Sequence, residues 1–567
     1  MRTHLTRWMA VCGLVVGAVM APLAAAQSTG EAKPVAIITF AGYDELMKDI
    51  NFIGELGDQP GAADMVEQFV QMFTQGKGLA GLDKSKPIGA IVLTDGVMPS
   101  GALCVPVSDV NALLDIAKGM GVTVTDMGDG VSQVKVPQGS SAFMKKSDGW
   151  ALLSLDPSWL KSIPADPGAE FKALVKDYDI AARVKVKNLP EAQREQAIEA
   201  LSQGAQQGLV KKSDESDAEF AKRKALVEAQ IAQTREFISD LDEVTVGLKI
   251  DADKSNTLLD FVYTALPGTK LAKQLAANSK VTTNFAGFSK PDAAMNLSFA
   301  SAANSVDQSQ VKQMVETIRT TVTKEIEKTT KIKDDASKAK AKDALNDFLA
   351  AMQATIEGGV TDGGASLEMG DNSFSLVAGA YVVDSQKVVD GLKKYAEVQT
   401  VDMPKLDLDA ETAADVKFHN VTYKIPGGAD EKAKKLLSEN GEMIVGVGKN
   451  AVYFAIGSDP VAAVKKAIEA SAKSPKKSIT PFELTVGLTQ ALEFAKSIAE
   501  ADKKPMIENL QVAVKKAGSD ADHIRLLGEP VENGVRTRLL LEDGVLKAIG
   551  AAANQARMQG AGAPRGF

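Results

Sequence analysis

Four stretches of this chain repeat one plan, and that repetition constrains the fold more than any single motif does. Residues 242–276, "DEVTVGLKIDADKSNTLLDFVYTALPGTKLAKQLA", read as an alternating strand, a polar turn, a second strand, Pro-Gly and an amphipathic helix. Val244, Val246, Leu248 and Ile250 share one face, and the second strand begins by Leu258. The plan returns in "PIGAIVLTDGVMPSGALCVPVSDVNALLDIAKGMG" from residue 87, "GASLEMGDNSFSLVAGAYVVDSQKVVDGLKKYA" from 364 and "DHIRLLGEPVENGVRTRLLLEDGVLKAIGAAA" from 522. In these three a polar pair, "SD", "DS" or "ED", stands where a helix needs side-chain oxygens to cap its first turn.

The spacing of the units pairs them. The units at 87 and 364 are offset by 277 residues, and Glu243 and Asp522, in the other two, by 279. Between them "GWALLSLDPSWLKSI" matches "NAVYFAIGSDPVAAVKKAI", each a strand, Asp-Pro and a helix, and "IAARVKV" matches "FELTVGL". "ITFAGY" at 38–43 also echoes "TNFAGF" at 283–288. The expectation is two related halves, residues 27–278 and 279–553, of class α+β: antiparallel sheets built from hairpins and covered by helices. Each half carries a long helical hairpin. Phe220, Val227, Ile231, Thr234, Ile238 and Leu241 share one helical face in the first, and Val311, Val315, Ile318, Val322 and Ile326 in the second.

The N-terminus reads as a secretory signal peptide, residues 1–26: Arg2 and Arg7, a short apolar run, then "LAAAQ" with cleavage after Ala26. No other segment reaches the roughly 18 apolar residues of a membrane span. Removing two arginines moves the net charge from −8 to −10, a poor balance for holding nucleic acid. The mature chain retains one cysteine, Cys104, inside an apolar strand pattern, so it reads as a buried thiol in a protein without internal disulfides. The Gly- and Pro-bearing end, 554–567, reads as a disordered tail.

None of the candidate motifs completes a site. "DADKSN" offers Asp251, Asp253 and Ser255 at the first three positions of a calcium loop, but Val262 stands at the twelfth and no helix precedes it, so it reads as a hairpin turn. Asp407, Asp409 and Glu411 alternate along an extended segment and read as edge-strand protection. "GVGKNA" lies between two strands rather than before a helix, and "TQGKGLAG" lacks the Lys-Ser/Thr of a phosphate loop. His419 and His523 have no partner at metal-ligand spacing, and Trp150 and Trp159 read as core anchors. Aromatics make up 5% of the chain, which argues against a sugar platform.

The signal peptide, the repeated units and signatures such as "GLKIDADKSNTLLDFVY" resemble large secreted proteins of unknown function from planctomycete-type bacteria. That resemblance implies export to the periplasm, cell surface or medium, and brings no catalytic residues. The functional expectation is an exported, non-enzymatic envelope protein with a binding or structural role. Alternatives are a carrier for a lipid or other apolar ligand, or a hydrolase with an unrecognised site. No catalytic, cofactor or metal residue is assigned and no cofactor is expected; the partner is left unknown, with another envelope protein or an apolar ligand as the candidates and nucleic acid excluded.

Overall fold

The computed structural model describes residues 32–561, except 97–98, 138, 140, 208, 212, 214, 303–307, 371–372, 402–403, 425–439, 458 and 519–520. The expected signal peptide therefore lies outside the described residues. The chain divides into two compact units, residues 1–272 with 532–536 and 553–567, and residues 273–531 with 537–552.

In the first unit the strands are β1 (Lys33–Phe40), β2 (Ile88–Thr94), β3 (Pro99–Pro106), β4 (Thr123–Asp126) and β5 (Val131–Lys135). They continue with β6 (Ser141–Ser147), β7 (Trp150–Ser154), β8 (Ile180–Lys185), β9 (Leu241–Asp251) and β10 (Asn256–Ala265). All pair antiparallel, in the order β4-β5-β6-β7-β3-β2-β1-β8-β9-β10. Helices α1 (Tyr43–Leu56) and α2 (Ala62–Phe73) follow β1, α3 (Val110–Gly119) follows β3, and α4 (Gly168–Val175) precedes β8. Helices α5 (Glu191–Gln207) and α6 (Asp217–Asp240) follow β8, and α7 (Lys270–Ala277) follows β10.

In the second unit β11 (Val281–Thr283) pairs with β19 (Lys477–Ile479) as a small separate ladder. The main strands are β12 (Met295–Ala302), β13 (Val360–Gly370), β14 (Ser373–Tyr381), β15 (Lys405–Ala413) and β16 (Val416–Lys424). Then come β17 (Asn440–Val447), β18 (Ala451–Ile456), β20 (Phe482–Gly487), β21 (His523–Val531) and β22 (Gly534–Glu542). Their order is β15-β16-β17-β18-β14-β13-β12-β20-β21. Read from β4 to β9 and from β15 to β21, the two orders follow the same circuit over nine strands each.

Each unit contains the long helical hairpin that periodicity predicts, but at a different point of that circuit. In the second unit α8 (Gln308–Lys328) and α9 (Asp335–Glu357) follow the first strand, where the first unit has the shorter α1 and α2. After the eighth strand the lengths reverse, α5 and α6 against α12 (Leu488–Ile498) and α13 (Lys504–Lys515). The echo between "ITFAGY" and "TNFAGF" is not one of position: β1 corresponds to β12, and Phe285 and Phe288 precede β12. The helices α10 (Ser385–Ala396) and α11 (Pro460–Ala472) complete the second unit, and α14 (Asp543–Ala561) has residues 543–552 in it and 553–561 in the first. Helix α14 continues through 554–561, part of the stretch expected as tail, because "NQARMQ" supplies good helix formers.

Local chemistry explains the elements. Asp109, Asp384, Asp156 and Asp459 each accept a backbone N–H at the start of α3, α10, the 3-10 turn Pro157–Lys161 and α11. In the "ED" pair Glu542 accepts the His523 N–H at 3.0 Å. The first core gathers Ile37, Ile91, Leu152, Phe171 and Leu174 around Trp150 and Trp159, with the Trp150 and Phe171 rings edge to face at 5.9 Å. Cys104 is fully buried there, and burial pushes its thiol up to about 12. Gly247 is required by close approach, since a Cβ would stand 2.4 Å from the Tyr178 ring. That ring's hydroxyl donates to the fully buried Asp260 carboxylate at 3.0 Å, across from Gly247 in the β9–β10 ladder.

The two-residue turn Ala414–Asp415 between β15 and β16 holds both residues at positive φ, 53° and 58°, as a type I′ hairpin turn requires. Alanine is strained there by about 1 kcal/mol. Ala414→Gly should raise stability by about that amount in chemical denaturation; a loss would show that the turn is held differently.

Candidate functional site: an aromatic pocket in the second unit

A hollow in the second unit has a volume of about 450 Å³. It lies where four segments meet: residues 284–288, the Ala414–Asp415 turn, the Gly448–Asn450 turn between β17 and β18, and the C-terminal half of α11. Its apolar lining is Phe285, Phe288, Val416, Tyr453 and Ile468, and Asn284, Asp415, Lys449 and Asn450 supply polar groups. Phe288 and Tyr453 stack with centroids 5.7 Å apart at 11°, and Phe285 stands 5.7 Å from Phe288. Burial raises the Tyr453 phenol above its ordinary range, so the ring stays neutral.

The segment that carries the two phenylalanines is held at both ends. Buried Asp362 on β13 accepts the Thr283 hydroxyl at 2.5 Å and the Asn284 N–H at 2.8 Å. The Gly287 N–H donates to Ser471 Oγ of α11 at 2.9 Å, and a Cβ on Gly287 would stand 2.2 Å from the Ala467 carbonyl oxygen. Glycine thus lets this segment touch the helix directly. Tyr381 lines a second hollow as well, of about 310 Å³ and almost wholly apolar, with Phe348, Met352, Ile356, Val388 and Val452.

The residues singled out from the sequence fall elsewhere. Asp251 accepts the Lys254 N–H at 3.0 Å and its ammonium at 2.7 Å, and Ser255 is left-handed at φ 51°. "DADKSN" is thus a hairpin turn between β9 and β10, with Val262 inside β10. Asp407, Asp409 and Glu411 lie on β15, but a bulge between 407 and 411 breaks their alternation. Lys449 and Asn450 of "GVGKNA" do turn the chain between two strands, and in doing so they line the pocket.

His419 and His523 lie on β16 and β21, with six strands between them in the sheet order, and do not converge. His523 Nδ1 is 3.0 Å from Glu542 Oε2 and 3.3 Å from Asp522 Oδ1. His419 is 1% exposed, and its Nδ1 accepts the Asp409 N–H at 3.0 Å, anchoring the bulge. Sequence reasoning discounted aromatics because they are few; the signal it held was Phe285 and Phe288, three apart in "TNFAGF".

Among the described residues one group has the geometry to hold a metal ion, Glu45, Asp49 and Asp179 of the first unit. No family model, no curated protein and no solved structure matches this chain.

Burial, followed by the charges of Lys417 and Lys393, lowers the His419 pKa against the opposing pull of Asp409. The unfolded chain then binds the proton first, so stability is full above about pH 6.5 and falls as pH drops below it. Read as the difference between wild type and His419→Gln in denaturation curves, the contribution of His419 should fall as pH drops below 6.5, with a slope of less than about 1.4 kcal/mol per pH unit. No pH-dependent difference between wild type and His419→Gln would place the titrating group elsewhere.

Proposed function

We propose that the protein is an exported, non-enzymatic binding protein of the bacterial envelope, built by internal duplication, whose second unit carries a small apolar ligand. The observation that carries this reading is the pocket built on Phe285, Phe288 and Tyr453, an apolar floor under a rim with amides and both signs of charge. Ligand sites commonly combine an apolar lining of this volume with a few polar groups that orient the ligand. An amphiphile with a ring or acyl body and a polar head has the matching chemistry. The shared strand circuit supports duplication, and the signal-peptide pattern supports export. The non-enzymatic part rests on where the candidate groups lie: Cys104 is buried, and the Nδ1 atoms of His419 and His523 bond neighbours on separate parts of the sheet.

The test is ligand capture. Protein purified from its own envelope and extracted with organic solvent should release a stoichiometric apolar compound on mass spectrometry. Ala472, an exposed pocket residue at the end of α11, can be enlarged without entering the core. Ala472→Trp should weaken binding of an apolar fluorescent probe by about tenfold, or 1.4 kcal/mol, with an unchanged melting temperature. An empty extract together with unaltered probe binding would remove the carrier reading.

A further inference from the structure

The first unit holds a group of carboxylates that the pocket does not explain. Glu45 and Asp49 stand four residues apart on α1 and therefore share one face of that helix. Asp179 is the residue just before β8, so it stands at the beginning of that strand. One oxygen from each of the three lies within 4.8 Å of the other two. Asp49 is 3% exposed and Asp179 2% exposed, so two of these groups are withdrawn from water.

Their partners are unevenly distributed. Asp179 is fully engaged: its Oδ1 accepts the Lys249 ammonium at 2.6 Å, and its Oδ2 accepts the Ile250 N–H at 2.6 Å. The same ammonium lies 3.8 Å from Glu45 Oε1, and Lys48 bonds Glu45 Oε2 from the surface at 3.1 Å. Asp49 Oδ2 is buried and has no hydrogen-bond partner. A buried carboxylate oxygen in that state is strongly unfavourable unless a cation or a proton meets it. Burial, and next the charge of Asp179, push the Asp49 carboxyl up to about 7. The cluster is short of positive charge at Asp49.

We propose that Glu45, Asp49 and Asp179 bind one hard divalent cation, Ca²⁺ or Mg²⁺, which meets Asp49 Oδ2 and fastens helix α1 to the start of β8. The spacing suits such an ion, since oxygens at bond lengths of about 2.0–2.6 Å from one centre lie no more than about 5 Å apart. The donor set is oxygen alone, without histidine or cysteine, and this selects hard cations over zinc or copper. Lys249 acts as the monovalent stand-in: it neutralises Asp179 and approaches Glu45, but no hydrogen bond from it reaches Asp49. Helix α1 leads into α2, on which Met65, Phe69, Met72 and Phe73 are each more than half exposed, so the ion also steadies that apolar face.

This inference concerns a different unit from the pocket and stands or falls separately from the carrier reading. The test uses the full mature chain, freed of metal by chelation at pH 7.5, titrated with CaCl₂ and with MgCl₂. Calorimetry should show one cation bound per chain, the melting temperature should rise, and amides of 43–56 should gain protection from hydrogen exchange. Asp49→Asn should weaken binding at least tenfold, while its melting temperature in chelator should not fall, because the substitution removes an unpaired charge. Lys249→Met should bind the cation more tightly, because the competing ammonium is gone. No binding of either ion at millimolar concentration would overturn the proposal, as would equal binding by Asp49→Asn. So would an Asp49→Asn protein destabilised in chelator, which would make Asp49 a structural acceptor.

Discussion

Each unit depends on one long-range pairing. The first strand, β1 or β12, is bonded on one side by the hairpin strand that soon follows, β2 or β13. Its other side is closed by a strand from much later in the chain: β1 receives β8 with Phe40 against Ile180, and β12 receives β20 with Phe299 against Phe482. Without that closure each sheet would be two separate hairpin stacks, each exposing an open edge to association with other chains. Loop-closure entropy rises only slowly with length, so the long connection is tolerable once the ladder and core form.

The shared circuit makes the differences between units informative. Where the first unit places a short 3-10 turn, Pro157–Lys161, and then α4, the second places the thirteen-residue helix α11. That helix forms one wall of the aromatic pocket. Conversely, Ala41 N–H bonds the carbonyl of Asp179 just as Ala300 N–H bonds that of Pro481. The residue that gives the first unit a buried acid is thus a proline in the second, and proline offers no ligand atom in its side chain. One circuit carries a carboxylate cluster in the first unit and an apolar hollow in the second.

Much of the architecture was legible in the sequence because it is locally encoded. Alternation over Val244–Ile250, the turn chemistry of Asp251–Asn256 and the caps at Asp109 and Asp384 each act within a few residues. Cys104 and the tryptophans were legible from their apolar surroundings. Neither site was legible, because each is assembled by the sheet order. Asp49 and Asp179 are distant in sequence, and only the β1–β8 pairing brings α1 beside Asp179. Phe288 and Tyr453 meet because Gly379 leaves room for the ring, with a Cβ there standing 2.8 Å from Phe288. The helical inserts were legible as helices, since periodicity shows that a helix forms, and not which connection of a circuit it occupies.

Hydrogen exchange measured across the intact chain tests the shared circuit most directly. The account predicts that amides of 36–40 and 295–299, flanked by strands on both sides in the interior of each order, exchange among the slowest of all strands. Amides of 123–126 and 405–413, at the outer ends of those orders, should exchange much faster. Equal or faster exchange at 36–40 or 295–299 than at those outer strands would contradict it.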